Sequence, residues 1–370
     1  MKIYFGIDPT GPFLHIGHGS VLLKLKALQK AGNEIIILIG DFTATIGDPT
    51  DKISTRPSLT QEQITSNAKD YKKQIGKILD LNKTTFVYNS TWLDKLSFAD
   101  VLSLSSNFTA QQTLHRDMFK KRMEEGKDLY LNEFLYPLMQ AYDSVVLDVD
   151  VEIGGNDQMF NMLAGRTLMK KLKNKEKFVI TMKLLVDPTG KKMGKTEENM
   201  VRLGDEPTDM YGKVMSWPDS LMPLAFEICT EVPAVAVAEV LAGNPRDAKM
   251  RLAKEIVSIF SSPEAAFAAE ADFIVKFQNK EIPADAPELK AEKGALLRDV
   301  LLSAGAVSSN SDFRRLVEGG GIIILPDLKV TNLDQTIKEE LTLKVGKKKF
   351  YKIIINYPSN SSPNPSTSAS

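Results

Sequence analysis

Apolar positions at the start of the chain fall into two short runs with a helical stretch between them. Lys2–Ile7 reads as a strand, and a turn with Pro and Gly follows over Asp8–Pro12. From about His15 to Ala31 the spacing is helical, ending near Gly32, and Glu34–Ile39 is a near-continuous Ile-rich strand. Strand, helix, strand in that order predicts a right-handed crossover in a parallel sheet. Strands this apolar suit a sheet covered on both faces. Leu59–Leu81 predicts one long helix, and Trp92–Gln140 predicts mostly helix with polar breaks. Val145–Ile153 and Phe178–Met182 return to a strand pattern. From Pro207 to about Phe273, Ala, Leu, Glu and Met dominate, as in helices. The expected organisation is a doubly wound, Rossmann-like α/β domain over 1–206, then a helical domain over 207–281. A linker at 282–290 leads to a small α+β unit at 291–356. The tail, 357–370, lacks charge and large aliphatic residues and is expected to be disordered.

Composition narrows the picture. At 370 residues the chain is too long for one ordinary domain. Lys+Arg and Asp+Glu are both 47, which excludes a wholly basic nucleic-acid coat and a wholly acidic solubilising protein. The balance hides a local excess. Residues 291–356 carry 11 Lys+Arg against 8 Asp+Glu, and 341–356 hold five Lys and no acid. With a single cysteine, Cys229, neither a disulfide framework nor a Cys-based zinc site is expected. The longest aliphatic runs, Ile35–Ile39 and Ile322–Leu325, are strand-length, far below the roughly 20 residues of a spanning helix. A cytoplasmic protein is expected.

Four stretches carry chemistry. In GIDPTGPFLHIGHGS, Gly6–Ser20, His15 and His18 are three apart at a helix start. Free backbone N–H groups and the positive dipole end there suit phosphates, and Gly17 permits close approach. A bare H-x-G-H also opens ordinary helices; the preceding strand and Gly6-x-Asp8-Pro9-Thr10 favour a nucleotide site. KKMGKTEEN, Lys191–Asn199, reads either as a solvated basic loop or as a Gly-containing loop that brings two ammonium groups to a polyphosphate. VEIGGNDQMFN, Val151–Asn161, ends a strand on two glycines followed by Asp157 and Gln158. That pattern suits adenine and ribose contacts, or a tight turn with a helix cap. In YPLMQAYDS, Tyr136, Gln140 and Asp143 share one helical face, which is either exposed or turned inward to bind something.

Taken together, HIGH, KMGKT, GGNDQ and QAYD stand in the order and at the distances of a class I aminoacyl-tRNA synthetase. Over nearly the whole chain to about residue 356, the sequence resembles the bacterial-type tyrosyl-tRNA synthetases. The resemblance implies ligation of L-tyrosine to tRNA-Tyr with ATP as substrate, Mg²⁺ beside the ATP and no tightly bound cofactor or protein-held metal. It implies Tyr4 and Asp143 at the tyrosine hydroxyl. It also implies Tyr136, Gln140 and Asp48 at the α-amino group, Gln158 near the carboxylate, and Thr43 and Asn89 around the pocket. Gly6, Asp8, Gly17, Gly155, Asp157 and Met193 would seat ATP. Thr10, His15 and His18 would meet the phosphates, with Lys52, Arg56, Lys192, Lys195 and Thr196 on the departing pyrophosphate. The last unit resembles the small RNA-binding domain of these enzymes, with Arg314, Arg315, Lys347, Lys348 and Lys349 toward RNA. A homodimer formed through about 90–140 is likewise implied. Relatives usually carry a helix before the first strand, whereas Met1 lies almost on it here. Gly194 and Thr196 stand where serines are commoner, and GGGIII, Gly319–Ile324, replaces a more polar turn.

Three other readings share parts of this pattern. A tryptophan-activating relative has the same nucleotide motifs, but Tyr4, Gln140 and Asp143 argue against it. A non-catalytic RNA-binding paralogue has no need of His15, His18, Lys192 and Lys195. A small-molecule nucleotidylyltransferase has no use for the helical and RNA-binding units.

Overall fold

The computed structural model describes residues 1–49, 59–114, 116–186, 200–277, 286–325, 328–346 and 349–356. Lys52, Arg56, Lys192, Met193, Lys195, Thr196, Lys347, Lys348 and the 357–370 tail lie outside the described residues. Two compact units divide the chain, Met1–Glu270 and Ala271–Ser370.

The first unit is built on five strands: β1 (Lys2–Ile7), β2 (Glu34–Ile39), β3 (Thr84–Tyr88), β4 (Val151–Gly155) and β5 (Phe178–Met182). Their order is β3-β2-β1-β4-β5, and every pairing is parallel. This is the predicted doubly wound sheet. Its order reverses between β1 and β4, so a crevice opens beyond the C-terminal ends of those two strands. Ile35 to Ile39 of β2 are all buried, as a sheet covered on both faces requires. β3 was not predicted. Its sequence, TTFVY, has no continuous apolar run, and as an edge strand it stays half exposed.

Helix α1 (Ile16–Lys30) matches its predicted span. Elsewhere the structure corrects the pattern. Leu59–Leu81 is not one helix but two short ones, Gln61–Ala68 and Tyr71–Ile75. Val145–Leu147 belongs to the Leu131–Leu147 helix rather than to a strand. That helix ends on Asp148 in the left-handed region, at φ 49°, and the β-branched pair Val145–Val146 is helical because Val145 packs into the core. Beyond Pro207, the helices as far as Glu270 belong to the same compact unit as the sheet. Gly19 of α1 shows the contact: a Cβ there would lie 2.7 Å from the Phe260 ring and 3.2 Å from Leu203.

The second unit is a mixed sheet of β6 (Glu288–Ala291), β7 (Ile322–Ile324), β8 (Leu328–Lys329), β9 (Leu341–Val345) and β10 (Lys349–Ile355), in the order β6-β10-β9-β7-β8. Helices Leu297–Ser303 and Asn310–Glu318 complete it, with Leu297, Leu301, Phe313, Ile322, Leu343 and Ile353 in its core. This is the predicted small α+β unit. Its first strand begins inside the stretch read as a linker, where Pro283 and Pro287 dominate the pattern. Among the described residues no helix is long and apolar enough to cross a membrane.

Gly19→Ala is expected to lower the stability of the first unit by about 1–3 kcal/mol through overpacking against Phe260. Urea unfolding of the variant beside the parent measures it; unchanged stability contradicts the close packing.

Candidate active site

A cleft of about 440 Å³ opens at the C-terminal ends of β1 and β4. It gathers most of the predicted site. Tyr4, Gly6, Asp8, Thr10, His15, Gly17, His18, Thr43, Asp48, Tyr136, Gln140, Asp143, Gly155, Asp157 and Gln158 all line it. Asn89 lies behind this lining, fully buried.

One chain of hydrogen bonds joins the strand ends. Asp8, just past β1, accepts from the Tyr136 hydroxyl at 2.8 Å on Oδ2 and from the Thr43 hydroxyl at 2.8 Å on Oδ1. Thr43, past β2, accepts from Asn89 Nδ2 at 3.1 Å, and the same amide donates to Asp143 Oδ2 at 3.3 Å. Trp92 Nε1 donates to Asp143 Oδ1 at 2.8 Å, and the Phe42 N–H donates to Asn89 Oδ1 at 3.0 Å. A side chain at Gly40, the residue after β2, would overlap the Asp8 carboxylate and the Thr43 hydroxyl, so that position must be glycine. Asp8, which the resemblance puts at the nucleotide, is thereby tied to the residues expected around the amino acid. Asp48 accepts from Gln158 Nε2 at 2.5 Å, and Asn161 Nδ2 donates to Gln158 Oε1 at 3.0 Å.

At the floor, the Tyr4 hydroxyl is 3.1 Å from Ser144 Oγ and 3.4 Å from the Gln140 carbonyl. Burial pushes the Tyr4 phenol well above its ordinary value, with the Glu152 carboxylate adding to the shift. The Tyr136 phenol is raised by burial and then by Asp8. Both therefore remain donors at neutral pH. Burial also raises the Asp143 carboxyl well above the usual range, against the opposing bonds from Trp92 and Asn89.

The two histidines cap α1. His15 Nδ1 accepts from the Gly17 N–H at 3.1 Å, and His18 Nδ1 accepts from the His15 N–H at 3.2 Å. An imidazole accepting at Nδ1 carries its neutral-form proton on Nε2, so each ring keeps an N–H donor on its far side. Gly17 has a second reason to be glycine, since a Cβ there would meet the His15 ring at 2.9 Å. The backbone at 201–203 pairs with the histidine segment: the Ile16 N–H donates to the Val201 carbonyl and the Leu203 N–H to the Leu14 carbonyl, both at 2.9 Å. Leu185 and Met200 line the cleft, which brings both flanks of the 187–199 stretch to it.

Sequence reading missed Trp92, Ser144, Glu152 and Lys177. Ser144 was within reach, four residues after Gln140 on the same helical face. Lys177 had no local signal, because its role depends on the long-range approach of Glu152.

In the second unit, Arg298, Arg314 and Arg315 line a cleft beside the start of the Asn310–Glu318 helix. Arg315 pairs with Asp312 at 2.7 Å, and Lys349 opens β10.

A family model described as tRNA synthetases class I (W and Y) matches residues 1–278. The chain belongs to this family of class I tRNA synthetases. A tyrosine–tRNA ligase of Carboxydothermus hydrogenoformans is 45% identical, over 96% of this chain and 90% of its own length. One from Thermotoga maritima is 42% identical, over 95% and 90%. Among solved structures, a C-terminally truncated Coccidioides posadasii mitochondrial tyrosyl-tRNA synthetase superposes with a TM-score of 0.59 at 26% identity, covering 73% of this chain and 83% of that one.

The raised Asp143 carboxyl gives a signed pH effect. An acid whose folded value lies above its ordinary 3.8 favours the folded state while protonated, and that contribution is lost as pH rises above 3.8. The stability of the parent minus that of Asp143→Asn should therefore fall as pH rises from about 4 towards neutrality. Urea unfolding across that range measures it; a flat or rising difference contradicts the assignment.

Proposed function

We propose that the chain performs tyrosine–tRNA ligation in this cleft. It activates L-tyrosine with ATP to tyrosyl-adenylate and pyrophosphate, then passes the tyrosyl group to the 3′-terminal ribose of tRNA-Tyr. The observation that carries the reading is the buried floor, where the Tyr4 hydroxyl and the Asp143 carboxyl lie at the bottom of a cleft whose mouth is the capped start of α1. A ligand phenol reaching Tyr4 and Asp143 pairs with both, whereas a phenyl ring leaves buried polar groups unmatched. Asp48, Tyr136, Gln140 and Gln158 surround the α-amino and carboxylate end, in a cleft also lined by the carboxylates of Asp8 and Asp157. That acidic lining suits an ammonium group.

Activation is an in-line attack of the tyrosine carboxylate oxygen on the α-phosphorus, with pyrophosphate leaving. It needs no covalent enzyme intermediate, so catalysis is positioning plus stabilisation of developing charge. The Nε2–H groups of His15 and His18, the α1 N-terminus and Thr10 meet the phosphates. Gly6, Gly17, Gly155 and Asp157 seat the adenosine, with Met193 beside it. Lys52, Arg56, Lys192, Lys195 and Thr196 act on the pyrophosphate, a reading supported by the cleft-lining residues on either side of each stretch, Asp48 and Leu59 for the first two and Leu185 and Met200 for the others. Mg²⁺ would accompany the ATP and would offset charge on its phosphates.

The wider assignments belong to the same reading. The 1–206 stretch carries the catalytic site, the 207–281 stretch, whose helices as far as Glu270 share the compact unit of the sheet, serves the tRNA anticodon side, and 291–356 is the RNA-binding domain, with Arg314, Arg315 and Lys347–Lys349 for phosphates. A homodimer through about 90–140 is supported by exposed apolar side chains there, among them Phe98 at 78% and Leu131 at 85%. We assign this work to the cytoplasm.

ATP–pyrophosphate exchange with each amino acid in turn tests the activity: exchange is expected with tyrosine, and its absence, or faster exchange with tryptophan, overturns the reading. Tyr4→Phe should raise the KM for tyrosine about five- to tenfold, one hydrogen bond of about 1 kcal/mol, and leave the KM for ATP unchanged. An equal rise in both contradicts the placement of Tyr4 at the phenol.

A further inference from the structure

Beneath the cleft lies an ion pair that the reaction does not use directly. The Lys177 side chain is 0% exposed and pairs with Glu152, whose side chain is 2% exposed. All three ammonium donors are engaged: with Glu152, with Ser144 Oγ at 2.8 Å and with the Met162 carbonyl at 3.1 Å. Room for the ammonium comes from Gly165, where a Cβ would overlap Lys177 Nζ and lie 2.7 Å from Ser144 Oγ. Four elements thus converge on one buried lysine: β4, the Leu131–Leu147 helix, the Met159–Lys173 helix and the segment entering β5. Pairs of this kind are often no more stabilising than apolar replacements of the same volume, so stability alone is a weak reason for one.

Its contacts supply another reason. Glu152 Oε1 accepts from Gln140 Nε2 at 2.9 Å, while Oε2 takes Lys177 and, at 3.4 Å, Ser144. A carboxylate only accepts, so Glu152 holds the Gln140 amide by its nitrogen and leaves the Gln140 oxygen as the acceptor for a ligand. Lys177 holds the Glu152 carboxylate in place. Without them the Gln140 amide is free to turn its NH₂ toward the cleft, where it repels an ammonium group.

The geometry points to Glu152 and Lys177 as positioning residues that select the acceptor face of Gln140 for the α-ammonium of the substrate. The inference rests on the reading of Gln140 as an α-amino ligand. In Glu152→Gln, the new amide still accepts from Lys177 through its oxygen and presents NH₂ to Gln140. Gln140 must then turn its oxygen to the floor. In the double variant Glu152→Gln/Gln140→Glu, the side chain at 140 is a carboxylate and accepts in either orientation.

Equilibrium binding of two probes tests this: L-tyrosine, and 3-(4-hydroxyphenyl)propanoate, which lacks the α-amino group. The parent should prefer L-tyrosine. Glu152→Gln should weaken L-tyrosine by at least about tenfold and the desamino probe by less than about twofold, and the double variant should return L-tyrosine to within about threefold of the parent. Equal weakening of both probes by Glu152→Gln, no weakening of either, or failure of the double variant to restore the preference overturns the inference. If Glu152→Gln does not fold, the double variant decides alone by keeping or losing the preference for L-tyrosine. A parent that binds both probes equally overturns the α-amino reading and this inference with it. A parent that discriminates, with an equally discriminating Glu152→Gln, overturns this inference only.

Discussion

The site depends on one carboxylate with two tasks. Asp8 leaves the end of β1 and holds the Tyr136 hydroxyl with one oxygen and the Thr43 hydroxyl with the other. Through Thr43 and Asn89 the chain reaches Asp143, so the ends of β1, β2 and β3 and one long helix are locked to each other by side chains. Each link is buried or half-buried, where a missing partner is expensive. A parallel sheet supplies strand ends that point the same way; the polar chain turns those ends into a receptor with fixed donors and acceptors. Gly40 and Gly17 follow from this arrangement, because the Asp8–Thr43 bond and the His15 cap each occupy the space of a side chain.

The same chain accounts for the electrostatics. Tyr4, Tyr136 and Asp143 are all pushed toward their neutral forms, chiefly by burial. A neutral phenol offers one proton in a defined direction, which is what recognition of another hydroxyl needs. A paired charge lies at the floor, where Lys177 meets Glu152, and the positive end of the α1 dipole lies at the mouth. The cleft thus offers neutral hydrogen-bonding groups at its floor, above a paired charge, and a helix start at its mouth.

Much of this was legible in the sequence, for identifiable reasons. β1, α1, β2 and β5 carry strong local patterns and fall where the apolar periodicity puts them. Gln140 and Asp143 were visible because helical spacing aligns them with Tyr136. β3 was not, since an edge strand with two threonines lacks the signal of a buried one. The break between Gln61–Ala68 and Tyr71–Ile75 was missed because no Pro or Gly marks it. Trp92 and Lys177 were missed because their meaning arises only when Asp143 and Glu152 approach from far along the chain.

A crystal structure with L-tyrosine bound tests the central claim most directly. The account predicts that the phenol oxygen lies within hydrogen-bonding distance of both the Tyr4 hydroxyl and the Asp143 carboxyl, while the Asp8–Thr43–Asn89–Asp143 chain keeps its present partners. A ligand ring seated elsewhere, or a chain that must break to admit it, contradicts the claim that the receptor is formed before the substrate arrives.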